Sequence, residues 1–91
     1  MATKPQESAG DLSRAMSAEI RAEMGSQRVT GQELAGKIGK SQNYLSKRLR
    51  DEVSLSVNDT EAIASALRIP YSVFMDRVLG RLRKIYPDEG N

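Results

Sequence analysis

The stretch TGQELAGKIGKSQNYLSKRLR, from Thr30 to Arg50, restricts the possible folds more than any other part of the chain. Thr30 and Glu33 have the spacing of a capping box, in which a hydroxyl and a carboxylate each take up a backbone N–H at a helix start. Val29 before the cap and Leu34 inside the helix form the matching apolar staple. Gly39 follows Ile38, and glycine enters the left-handed conformation that stops a helix without a steric penalty. Ser41 is suited to cap the next helix, predicted over Gln42 to about Arg50. Two short helices joined by a tight turn are thereby encoded locally.

The flanking sequence reads as helix too. Leu12, Met16, Ile20 and Met24 recur four apart, which predicts a first helix from Asp11 to about Met24, ended by Gly25. Asp51 to Ser56 reads as a loop, with Leu55 wedged into the core. A fourth helix is expected from Val57 or Asn58 to Arg68, with Ile63 and Leu67 inward and Pro70 as its breaker. A fifth follows from Tyr71 to Ile85. The alternating run Val53–Val57 is too isolated to pair as a strand. The expectation is an all-α, compact five-helix domain over residues 11–86, with tails at 1–10 and 87–91.

Ninety-one residues allow one domain. No cysteine or histidine is present, which removes disulfides, thiolate and imidazole metal sites, and His- or Cys-based catalysis. No constellation of Ser and Lys suggests an activated nucleophile, so an enzyme is not expected, nor a cofactor, a metal or a small-molecule ligand. The aromatics are Tyr44, Tyr71, Phe74 and Tyr86, too few to serve as stacking platforms for single strands. No window approaches a membrane span and no apolar signal core opens the chain, so a cytoplasmic protein is expected.

The net charge of +2 says little, but its distribution says more. Between Leu34 and Arg50 there is no acid, while Lys37, Lys40, Lys47, Arg48 and Arg50 all fall there. A basic patch on a nearly neutral chain is the pattern of local phosphate contact. At about 100° per residue, Gln42, Asn43, Ser46, Lys47 and Arg50 share one arc of the third helix, with Leu45 and Leu49 beside it. Such a helix docks by its leucines and offers the other arc to a major groove. Gln and Asn bond adenine bidentately, and Lys and Arg bond guanine. Gln42, Asn43, Ser46 and Lys47 are therefore the candidate base contacts. Arg28, Gln32, Lys40, Ser41, Tyr44, Arg48 and Arg50 are the candidate phosphate contacts, although Tyr44 serves equally as an edge shield. A charged, amide-bearing helix face is often only solvated. Here the capped helix before it, the glycine turn and the acid-free basic stretch coincide.

Thr30, Leu34-Ala35, Gly39, Ser41 and Leu45 together resemble the helix-turn-helix of the lambda-repressor/Cro-like family. EAIASALRIP resembles the family's following helix, and the likeness runs from about Ile20 to Phe74. The resemblance implies a helix-turn-helix made by the second and third helices, with Gln42, Asn43 and Lys47 at base edges. It also implies phosphate contacts from the start of the second helix and from the loop after the third. Two positions depart from the pattern. Gly31 stands where family members often carry glutamine, with Gln32 one place later. Asp51 and Glu52 occupy a loop that commonly holds glycine, and would repel a nearby phosphate.

The fifth helix carries Tyr71, Phe74, Met75, Val78, Leu79, Leu82 and Ile85 as a broad apolar stripe. Phe74 and Val78 are expected to close the core. Val78, Leu82, Ile85 and Tyr86 are the candidate dimer interface; the alternative is a helix packed back on the first. The function expected is a sequence-specific double-stranded DNA-binding transcriptional regulator, repressor- or Cro-like, of phage or bacterial type, acting as a homodimer. The competing function is a protein-interaction module, such as an antitoxin-like partner protein.

Overall fold

A computed structural model describes residues 8–85, the side chain of Ile85 excepted. The expected tails, and Tyr86, therefore fall mostly or wholly outside the described residues. Five helices follow one another: α1 (Asp11–Gln27), α2 (Gly31–Ile38), α3 (Gln42–Leu49), α4 (Val57–Ala66) and α5 (Tyr71–Ile85). Among the described residues there is no strand, and no helix is long and apolar enough to cross a membrane.

The caps explain the boundaries. Thr30 Oγ1 accepts from the Glu33 N–H at 3.1 Å, and Glu33 accepts from the Thr30 N–H at 3.0 Å. Thr30's backbone bond is the main cause that holds the Glu33 carboxyl below its ordinary pKa. Ser41 Oγ accepts from the Tyr44 N–H at 3.0 Å and starts α3. Gly39 lies at φ 71° and ends α2.

Two expected boundaries move. Gly25 does not stop α1, which runs on to Gln27 and turns at Arg28, φ 58°. Pro70 does not break α4, which ends at Ala66 with Arg68 at φ 59°. Pro70 instead opens α5, its carbonyl accepting from the Phe74 N–H at 3.0 Å. α1 to α4 all end in the same way. A left-handed residue (Arg28, Gly39, Asp51, Arg68) bonds three back, and the next residue bonds five back. This is the Schellman arrangement, which satisfies the last carbonyls of each helix. Glycine occupies that position in α2 alone of the four.

One apolar core joins the helices. Phe74, Ile20, Leu34, Leu45, Ile63, Leu67 and Val78 are its largest buried apolar side chains. α5 lies antiparallel along α1, where Arg81 donates to Glu19 at 3.0 Å and Arg77 to Glu23 at 3.2 Å. Leu55 is wedged inward as expected, its N–H donating to Ser13 Oγ at 2.9 Å. Leu12 is 46% exposed and stands outside the core, so only the later members of the first apolar row point inward.

Candidate nucleic-acid interface

α3 presents the predicted arc outward. Leu45 and Leu49 are buried, while Gln42, Asn43, Lys47 and Arg50 are exposed and Ser46 is half-buried. The two leucines dock α3 on α1 and α2. From α1, Arg21 donates to the Leu49 carbonyl and so takes up one of the last acceptors of α3. With Ser41 capping one end and Arg21 holding the other, a two-turn helix too short to persist alone is fixed at both termini.

The polar groups around α3 differ in how far the chain itself engages them. Arg28, Gln32, Lys40 and Ser41 are exposed, on the turns and first residues around α2 and α3. Arg50 is exposed but pairs with Glu52 at 2.8 Å. Asp51, expected to repel phosphate, turns inward: it accepts from Ser17 Oγ at 2.6 Å and lies 3.8 Å from Arg14. Its inward turn follows from its left-handed backbone, φ 65°, and from the α1 hydroxyl that meets it.

Arg48 and Tyr44 do not stand ready for phosphate. The Tyr44 hydroxyl donates to Asp59 Oδ1 at 2.8 Å. That bond is the main cause that raises the phenol above its ordinary pKa, with desolvation adding to it. Arg48, its side chain 11% exposed, stacks 3.5 Å from the Tyr44 ring centre and donates to the Tyr44 carbonyl at 3.1 Å. Its Nε lies 3.4 Å from Asp59 Oδ2, joined by charge rather than by a directed hydrogen bond. Lys40 Nζ lies 4.9 Å from the same ring. The buried side of α3 is therefore wider than its leucines alone suggested, because α4 covers a second flank through Asp59.

Residues 18–74 match the helix-turn-helix family model. The chain belongs to the lambda-repressor/Cro-like helix-turn-helix family. Its members are DNA-binding regulators of transcription. Among solved structures, a point mutant of the restriction-modification controller protein C.Esp1396I is similar, with TM-score 0.76 and 22% identity, covering 80% of this chain and 95% of that one. The clp gene regulator ClgR of Corynebacterium glutamicum is similar at TM-score 0.72 and 25% identity, covering 78% of this chain and 92% of that one. No curated protein matches the chain in sequence.

Beside this helix-turn-helix, on α4, sequence reasoning missed Asp59. It is 5% exposed and forms a second capping box, with Ser56. Burial pushes its carboxyl up, but the bonds from Ser56 and Tyr44 and the charge of Arg48 outweigh that and leave it below the ordinary carboxylate range. The signal was present: Ser56-x-x-Asp59 has the same spacing as Thr30-x-x-Glu33. The interface residues on α5 also need correction. Val78 is fully buried in the core of one chain and offers no surface to a second. Leu82 is half-buried against that core, and among the described residues of the stripe Tyr71, at 36%, and Leu79, at 40%, are exposed. The Ile85 side chain and Tyr86 lie outside the described residues.

Proposed function

We propose that this protein is a sequence-specific regulator that binds double-stranded DNA by seating α3 in the major groove. Gln42 and Asn43 read base edges from the first turn, with Ser46 and Lys47 following one turn later. Arg28, Gln32, Lys40, Ser41 and Arg50 meet the flanking phosphates. One observation carries the reading: the outward arc of α3 holds amides and cations with no acid among them, on a helix fixed at both ends.

The protein acts as a homodimer in this reading, through the outer side of α5 around Leu79 and Leu82, on half-sites about one helical turn apart. Occupying an operator in the bacterial cytoplasm, whether for host or phage, blocks transcription. C.Esp1396I and ClgR, described as a controller protein and a gene regulator, are consistent with such a role.

Selection of bound sites from a random duplex pool, followed by salt titration, tests the proposal. A defined, two-fold related site is expected. Affinity should fall steeply with salt, by about 0.9 logarithmic units per logarithmic unit of salt for each phosphate contacted. A protein that enriches no site and ignores duplex at low salt ends the reading.

A further inference from the structure

We propose that Asp59, which is too buried to touch DNA, is a positioning residue that sets the rotation of α3 about its own axis and hence the specificity of base readout. The inference rests on the DNA-binding reading above and extends it to a residue outside the helix-turn-helix.

The geometry is that of a second anchor line. Leu45 and Leu49 hold one flank of α3 against α1 and α2. The end bonds of α3 fix its position, but apolar contact along one line resists a roll about that line only weakly, because it has no directional preference. Tyr44 and Arg48 lie on the other flank, one turn apart, and both end on Asp59. Asp59 is itself rigidly placed. Its Oδ2 accepts from the Ser56 N–H at 3.1 Å, and its own N–H donates to Ser56 Oγ at 3.0 Å. That capping box fixes the carboxylate to the first turn of α4 and leaves Oδ1 for the Tyr44 hydroxyl. Arg48 closes the loop by bonding the Tyr44 carbonyl while lying over its ring.

Rolling α3 breaks this second line. A roll of about 10° carries a side-chain tip at a radius of about 6 Å through about 1 Å. Hydrogen bonds to base edges do not tolerate that displacement, whereas a charge near a phosphate does. Loss of the anchor therefore lowers specific binding and leaves non-specific binding in place.

Tyr44→Phe is the clean test, because it removes one hydroxyl and leaves the Ser56–Asp59 box intact. Asp59→Ala and the double variant complete a cycle, with helical circular dichroism confirming that each is folded. Binding is measured on the selected operator and on a random duplex. Tyr44→Phe should weaken operator binding about three- to tenfold, the range of one net hydrogen bond, with random-duplex affinity and salt slope unchanged. The double variant should lose clearly less than the product of the single losses. Tyr44→Phe binding the operator as tightly as wild type overturns the inference, as do fully multiplicative losses or equal losses on both duplexes. If Asp59→Ala does not fold, the two duplexes with Tyr44→Phe alone decide. A wild-type protein that binds no duplex removes the DNA-binding reading, and this inference with it. A wild-type protein that selects an operator while Tyr44→Phe matches it removes the inference alone.

Discussion

Asn43 and Tyr44 are neighbours in the chain and face different worlds. Asn43 is exposed at the start of α3, and in the proposed function its amide reads an adenine edge. Asn43→Ala should therefore cost about 1–3 kcal/mol on the selected operator and little on random duplex, by parallel titrations at one salt concentration. Equal losses on both would place Asn43 away from the bases. Tyr44 faces α4, and its partner Asp59 makes stability depend on pH. The folded carboxyl sits below its ordinary pKa, so the stability it contributes is present above the unfolded value and is lost as pH falls through the folded one. Denaturant midpoints should drop as pH falls through the ordinary carboxylate range and below it, and Asp59→Asn should flatten that part of the profile. A variant profile parallel to wild type would show that another carboxylate governs the acid limb.

At the scale of elements, four helices close with the same left-handed turn but with different residues in it. Arg68 at φ 59° pays the steric cost of its Cβ, and it is exposed. Arg68→Gly should raise stability by about 0.5–1 kcal/mol, since glycine reaches that conformation freely. Gly36 is the mirror case. It lies inside α2, is exposed, and has open space where a Cβ would stand. Gly36→Ala should stabilise by about 0.5–1 kcal/mol. Thermal midpoints of both variants check the pair; a drop in either would show that the local backbone is not what decides there. The cap at Thr30 and the stop at Gly39 were legible, because their chemistry is local. The turns at Arg28 and Arg68 were not, because no side chain there favours the conformation. Packing of the flanking residues Val29 and Ile69 against the core holds the chain in it.

Across the whole molecule, α5 differs between its two sides. Its inner side, with Phe74 and Val78, completes the core, and Arg77 and Arg81 latch it to Glu19 and Glu23 of α1. Its outer side leaves Val73 and Leu79 exposed. Leu79→Asp should yield a monomer by sedimentation equilibrium, with the helical content of the wild type. An unchanged mass would move the interface off this side of α5. Periodicity showed that the stripe on α5 was wider than a core requires. It did not show where the core stops, since that boundary depends on how α1 lies across it.

The chain's own order of residues settled what physical chemistry decides within a few neighbours: caps, the glycine turn, helical periods, and the acid-free outward arc of α3. Those are short-range matters of hydrogen bonding and backbone sterics, so Thr30, Gly39, Ser41, Leu45 and Asn43 were readable directly. Only the tertiary structure decided which cations remain free for a partner. Arg48 and Lys47 are adjacent in sequence, yet one is drawn to a carboxylate on α4 and the other is left in solvent. That distinction arises from a contact between residues far apart in the chain, and no local pattern encodes it.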